Sequence, residues 1–186
     1  MKTIAVIGAG MAGITAARTL VQAGFKVSVF EKSHGPGGRM ATRSTPYGSF
    51  DHGVQYFTVR DPQFMKAITE VPGTQAICRA WSANAVRVLD PLGRVVEAPL
   101  PLREPHFVAA PGMNALLKHW AQPLSDMGCL HLESQVQFLR QSGKKKWQVV
   151  CSDASEHGGF DGLVLAIPHV QADYLLRQSG SPAASF

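Results

Sequence analysis

The chain has 186 residues, 45% hydrophobic and 17% charged, with 18 Lys and Arg against 13 Asp and Glu for a formal net charge of +5. That length suits one domain or slightly more, and the apolar share is enough for a core while the charge is too sparse for a disordered chain. No apolar stretch approaches the ~20 residues that span a bilayer, and Cys78, Cys129 and Cys151, far apart and without a CxxC pair, suggest neither a disulfide framework nor a zinc site and suit a reducing, cytoplasmic setting.

Residues 4–7 are a continuous apolar run, the form of a strand buried on both faces of a parallel sheet. The run enters Gly8-Ala-Gly10-Met-Ala-Gly13, and the spacing predicts a helix over 11–23, with Ile14, Ala17, Leu20 and Val21 inward and Gly24 as its stop. A second buried strand over 27–30 ends at Glu31. Together these make the dinucleotide fingerprint. Gly8 permits the tight turn, Gly10 lets the backbone approach a pyrophosphate, and Gly13 allows helix and strand to pack closely. The helix aims its first N–H groups and positive dipole end at the phosphates. Glu31, roughly 20 residues on, can accept both ribose hydroxyls of an adenosine and repels a 2′-phosphate, so NADP is not expected. The fingerprint by itself serves FAD and NAD alike.

Residues 33–50, rich in Gly, Ser, Thr and Pro, read as an extended loop, and 50–57 resume an ordered segment. Asp61 is expected to cap a short helix reaching residue 70, with Pro62 in its first turn. Between 76 and 96 the texture becomes strand-like, at 76–81, 85–89 and 94–96, with a turn at Pro91-Leu-Gly93. Pro99, Pro101 and Pro105 mark an irregular connection. A helix over 113–121, a short strand at 130–132, a hairpin of 135–139 with 147–151, an apolar strand at 162–167 and a helix over 170–177 complete the pattern. Lys144-Lys-Lys146 reads as a solvated hairpin tip and not as a nucleic-acid patch. The expected fold is α/β, of the Rossmann type that binds a dinucleotide. Its parallel sheet uses the strands at Ile4, Val27, Leu130 and Val164, flanked by helices and a β-meander. The expected division is 1–75 with 106–178 as the dinucleotide-binding domain, 76–105 as an inserted, partial β-rich substrate subdomain, and 179–186 as a disordered tail.

The second glycine cluster sharpens the reading. In Gly37-Gly38-Arg39-Met40-Ala41-Thr42, adjacent glycines let backbone turn against a phosphate–ribose face while Arg39 offers a cation. Coupled to the fingerprint and Glu31, this segment resembles the FAD-dependent amine oxidase superfamily, where GGR-x-x-[ST] follows the second strand. An arginine that the family often carries two positions before the glycine pair is Gly35 here. The closer resemblance is to the bacterial renalase-like branch. Its carriers are Lys32-Ser-His-Gly-Pro-Gly-Gly-Arg-Met-Ala-Thr-Arg43, Phe50-Asp-His-Gly-Val-Gln-Tyr-Phe-Thr58 and Pro111-Gly-Met-Asn114.

That resemblance implies FAD as cofactor, contacted by Met11, Ala12, Glu31, Lys32, Arg39, Gln55 and Tyr56, with the backbone of Val136 at the adenine. Gly8, Gly10, Gly13, Gly38 and Met40 complete the expected cofactor set. Gln55 and Tyr56 also fit on chemistry, since a planar isoalloxazine wants aromatic walls and amide donors; a plain half-buried strand explains them equally well. The resemblance further implies hydride transfer from a small substrate, a dihydronicotinamide isomer or an amine, to flavin N5, with molecular oxygen as acceptor. Neither nucleic acid nor membrane is an expected partner. No catalytic residue is assigned, because Asp51 and His52 are adjacent on a strand and face opposite ways, and no histidine shows metal-ligand spacing. The resemblance also implies a further C-terminal segment, so the chain reads as an N-terminal portion with an exposed apolar face around residues 164–167. Two alternatives stay open: a noncatalytic dinucleotide-binding remnant, and an NAD-dependent dehydrogenase, against which Gly37-Gly38-Arg39 argues.

Overall fold

The computed structural model describes residues 1–69, 77–81, 88–96, 104–141 and 146–179. The chain opens with β1 (Thr3–Ile7), α1 (Met11–Gln22) and β2 (Lys26–Phe30), then a 3-10 turn at Gly38–Met40. A hairpin of β3 (Thr42–Thr45) and β4 (Gly48–Asp51) leads to β5 (Phe57–Thr58) and α2 (Pro62–Thr69). Short strands β6 (Cys78–Ala80), β7 (Val88–Leu89), β8 (Val95–Val96) and β9 (His106–Ala109) precede α3 (Ala115–Asp126). The remainder is β10 (Leu130–His131), β11 (Val136–Gln141), β12 (Trp147–Cys151), β13 (Glu156–Phe160), β14 (Gly162–Leu165) and α4 (His169–Gln178).

A four-stranded sheet in the order β10-β2-β1-β14 organises the molecule, and every pair in it is parallel. These are the four strands the apolar runs predict. The strand period of two splits their side chains between two cores. Val6, Val27 and Val29 face Ile14 and Ala17 of α1 and Leu116, Leu117 and Trp120 of α3. Ala5, Ile7 and Phe30 face Leu139, Val149 and Phe160 of the meander, with Leu175 of α4. The result is a three-layer stack of helices, parallel sheet and antiparallel meander. Between α1 and α3, the Arg18 guanidinium lies 4.9 Å from the Trp120 ring centroid, a cation–π contact that covers an edge of the core. Burial lowers the Arg18 pKa from its ordinary value.

Several elements differ from the pattern read along the chain. Residues 42–51 are a hairpin and not a loop. Its strands are polar and mostly exposed, so no hydrophobic alternation announces them, and the turn Thr45-Pro-Tyr-Gly48 was the available signal. Gly158 and Gly159 likewise obscure β13, whose pairing to β12 extends the expected hairpin into a meander. The third helix begins at Ala115 and runs through Pro123 to Asp126, because Leu116, Leu117, Trp120, Ala121 and Leu124 form one buried stripe that continues past the proline. The strand β9 pairs with β5 and β6, so that sheet crosses the expected boundary at residue 105. Asp61 does cap α2: its Oδ1 accepts the N–H groups of Gln63 at 2.7 Å and Phe64 at 2.9 Å. Residues 76, 85–87, 97–103, 144–145 and 180–186, and with them Pro99, Pro101, most of the lysine run and most of the expected tail, lie outside the described residues. Residues 163–167 are each half-buried, so the apolar face expected around 164–167 is partly covered, Leu165 and Ile167 by the meander side and Val164 and Ala166 by the helix side.

Cys78 is buried in the helix-side core beside Ala109, and burial pushes its thiol up to about 11. The unfolded chain ionises this thiol near the ordinary value and the folded chain does not, so the contribution to stability is full below about pH 9 and is lost as pH rises toward 11. Urea unfolding is expected to need less denaturant at pH 10 than at pH 8, with part of that difference absent in Cys78→Ala. An identical pH dependence in both proteins would refute the assignment.

Candidate dinucleotide site

The tight turn leaves the carboxyl end of β1. Gly8 has φ +102 and donates its N–H to the Phe30 carbonyl at 2.8 Å. A Cβ on Gly8 would sit 2.7 Å from the Ala166 carbonyl oxygen, and one on Gly13 would sit 1.9 Å from the Gly8 carbonyl oxygen. Both glycines are therefore required by the protein's own backbone. Gly10 is different: the nearest atom to a Cβ there is the Gly38 Cα at 3.8 Å, so the protein alone leaves room. Helix α1 starts at Met11 with no side chain capping its first turn, which leaves N-terminal donors and the positive dipole end directed at this turn.

Glu31 is 7% exposed, the one buried charged residue among those described. Its two oxygens accept the Ala9 N–H at 2.8 Å and the Ser33 N–H at 2.9 Å. The carboxylate is thus fixed between the glycine turn and the loop after β2. Each oxygen retains a further lone pair for an incoming hydroxyl. The same loop is strapped to the chain after β10: Glu31 donates to the His131 carbonyl at 2.9 Å, Ser134 donates to the Glu31 carbonyl at 2.8 Å, and Glu133 donates to the Ser33 carbonyl at 3.1 Å. Glu133 has φ +53, an uncommon conformation for a residue with a side chain, and its carboxylate meets His34 Nδ1 at 2.9 Å. Val136 opens β11 directly beyond this strap, half-buried against the meander-side core.

The second glycine cluster docks on the first. Gly37 donates to the Ala9 carbonyl at 3.0 Å, and a Cβ on Gly38, whose φ is +54, would sit 3.0 Å from the Gly10 Cα. Arg39 and Lys32 are exposed and make no ion pair among the described residues. The Arg39 carbonyl accepts the Val54 N–H at 2.8 Å, and Gly53 packs so tightly there that a Cβ would be 2.1 Å from that oxygen. That contact carries the chain from the glycine junction to Gln55 and Tyr56, which are exposed two residues later. Met11 is half-exposed, Ala12 exposed, and Met40 is buried in the helix-side core, so its side chain serves packing. Hydrogen bonds and close packing link Glu31, Gly10, Gly38, Arg39 and Val54 in succession, while Met40, Gly8 and Gly13 of the expected set pack against the protein itself.

Asp51 and His52 serve different partners. Asp51 Oδ1 accepts the Thr42 hydroxyl at 2.6 Å and the Met113 N–H at 3.0 Å, while the His52 ring nitrogen Nδ1 lies 3.0 Å from the Ala41 carbonyl. Asp51 ties the β3–β4 hairpin to the chain entering α3, a link that sequence spacing alone did not reveal. Thr42, Gly112, Asn114 and Lys118 line a shallow polar cleft beside it. At the carboxyl end of β2, Phe30, His131 and His157 form a ring cluster with centroids 4.9–5.2 Å apart. Burial, with His157 second, lowers the His131 pKa. Among the described residues no group of three His, Cys, Asp or Glu is placed to hold a metal, and no helix is long and apolar enough to cross a membrane.

Comparison with known proteins bears on the fold. Residues 6–71 match the family described as NAD(P)-binding Rossmann-like domain. A 73-residue stretch is 37% identical to a phytoene desaturase of Fusarium fujikuroi, covering 39% of this chain and 12% of that protein. A 41-residue stretch is 54% identical to an L-amino-acid oxidase of Daboia russelii, covering 22% of this chain and 8% of that protein. In structure, the chain is similar to an FAD-containing monooxygenase of Photorhabdus luminescens, with a TM-score of 0.57 at 16% identity over 94% of this chain and 42% of that one. At that identity the likeness is one of fold. Residues 6–71 are thus similar to a Rossmann-like domain, and shorter stretches of the chain are similar to a desaturase and an amino-acid oxidase. It spans a small part of the length of those relatives.

Proposed function

We propose that this chain provides the FAD-binding part of a flavin-dependent oxidoreductase of the renalase-like branch, taking hydride from a small substrate such as a dihydronicotinamide isomer or an amine. The observation that carries this reading is the apposition of Gly10 and Gly38 beside a pinned Glu31. Gly38 packs so close that a Cβ there would lie 3.0 Å from the Gly10 Cα, so two turns free of side chains meet where the pyrophosphate would lie. A single-cluster NAD site has no use for the second glycine pair or for Arg39.

FAD, when bound, supplies a hydride acceptor at N5 that molecular oxygen can reoxidise. The chain's own residues hold and orient it. The N–H groups opening α1 face the pyrophosphate, and Arg39 adds a mobile cation at its edge. Glu31 accepts ribose hydroxyls without moving, because Ala9 and Ser33 already fix both oxygens. The Val136 backbone borders the adenine end, and Gln55 with Tyr56 stands at the ring end. The free, separated cysteines favour a cytoplasmic setting.

The test is the visible spectrum of the purified protein, followed by FAD titration. Bound flavin is expected in the wild type. Arg39→Ala is expected to weaken FAD by about tenfold, the effect of one charge-assisted contact of about 1.5 kcal/mol. A protein that takes up NAD and refuses FAD would overturn the proposal in favour of a dehydrogenase; one that binds neither would leave only a remnant of the fold.

A further inference from the structure

The sheet β5-β9-β6 has two unlike faces. Register pairs Phe57 with Phe107 and Cys78 with Ala109, and all four pack against the helix-side core. Strand alternation places Thr58, Arg79 and His106 on the opposite face together with Val108, which still reaches the core, and Tyr56 and Trp81 adjoin the strands at their ends. An antiparallel sheet with one solvated side ordinarily shows polar residues there. Here the Tyr56 and His106 ring centroids are 4.2 Å apart with 32° between planes, and Tyr56 and Trp81 are 6.1 Å apart at 38°. Tyr56 is 40% exposed and Trp81 44% exposed, so this is a ring platform with open area. The Trp81 N–H donates to the His106 carbonyl at 2.6 Å, which fixes the edge of the platform.

Charge on this face is uneven. Arg60 and Glu104 neutralise one another through a bidentate contact at 2.9 and 3.1 Å. Arg79, two residues before Trp81 on the same face, is exposed and makes no ion pair among the described residues. Exposed faces of tilted rings, with an uncommitted guanidinium on the same sheet face, suit a ring stacked on Tyr56 or Trp81 with an anion held by the fork of Arg79. The platform also adjoins the dinucleotide site, since Tyr56 follows the Arg39–Val54 contact by two residues.

We propose that Tyr56, Trp81, His106 and Arg79 form a recognition site for a substrate portion made of a planar ring bearing a carboxylate. This rests on the flavin reading for its role and points to a substrate that carries a ring and a carboxylate besides the group that is oxidised; the site itself is defined by the sheet. The probe is 2-naphthoate, titrated into the full chain by calorimetry against 2-naphthalenemethanol and 2-naphthylmethylamine. The acid is expected to bind about tenfold tighter than the alcohol, with the amine weakest. Arg79→Gln is expected to bring the acid down to the level of the alcohol, and Trp81→Leu to weaken acid and alcohol together by about tenfold. Both variants should keep the FAD affinity of the wild type, which shows that the fold and the dinucleotide cradle survive. No binding of the acid, equal binding of all three probes, or wild-type affinity in both variants would overturn the site. Loss of FAD binding in the wild type with the naphthoate pattern intact would instead overturn the flavin reading and leave the platform standing.

Discussion

Replacing Glu31 by alanine is expected to cost about 3 kcal/mol of stability and most of the dinucleotide affinity. The carboxylate accepts the Ala9 and Ser33 N–H groups inside a site where Glu31 is 7% exposed. Bonds to a charged acceptor are worth about 1.5–3 kcal/mol each, and a donor left buried without a partner carries its desolvation cost as well. Water can enter the space vacated by two carbons and two oxygens, which is why the expected loss is nearer the bottom of the summed range. In a chain of this size the melting temperature should fall by about 6–12 °C. Glu31→Gln keeps one acceptor oxygen and should recover about half of that loss, since its amide cannot accept from both N–H groups. Flavin content should fall in both variants, and further in the alanine. Thermal melts of the three proteins check this. An alanine variant as stable as the wild type would mean that the carboxylate is not holding the two loops together.

Gly13→Ala is expected to be as damaging by a different route. Its Cβ would lie 1.9 Å from the Gly8 carbonyl oxygen and 2.9 Å from the Gly8 carbonyl carbon, both backbone atoms that no rotamer can move. Gly8 cannot yield, because its N–H is bonded to Phe30 at 2.8 Å and its other side meets Ala166. The helix must therefore lift off β1, opening gaps at Ile14 and Ala17, which are fully buried. Alanine improves intrinsic helix propensity by about 1 kcal/mol, whereas overpacking of this kind costs about 1–3 kcal/mol or more; the steric term wins, and dinucleotide binding should vanish with the displaced helix N-terminus. Gly10→Ala supplies the contrast. Its Cβ meets nothing nearer than 3.8 Å, so stability should stay within about 0.5 kcal/mol while FAD affinity drops, because the methyl group occupies the ligand's approach. Equal stability losses at Gly10 and Gly13 would refute this separation of a packing glycine from a binding glycine.

Local chemistry determined the Rossmann-like half of this protein. The apolar runs at Ile4, Val27 and Val164 state that strands are buried on both faces, since only a sheet covered on two sides tolerates unbroken hydrophobicity. The glycines at 8, 10 and 13 and the acid at 31 have meaning at short range, through turn geometry, backbone approach and the end of the neighbouring strand. Even Leu130, in a two-residue strand, was placed correctly in the parallel sheet; its edge position is a fact of the tertiary structure.

What the chain order could not contain is contact between residues far apart in it. That Gly38 packs against Gly10, that Asp51 bonds Met113, and that β9 joins β5 and β6 in one sheet are facts of tertiary packing. The polar hairpin β3–β4 and the glycine-bearing β13 have no hydrophobic period to announce them, because their hydrogen-bonded partners, and not a core, hold them in place. Met40 reads like a ligand contact beside Arg39, yet the 3-10 turn rotates its side chain into the core while leaving Arg39 outside. The aromatic platform has the same origin: Tyr56, Trp81 and His106 are 25 or more residues apart in pairs, and only strand register brings their rings together.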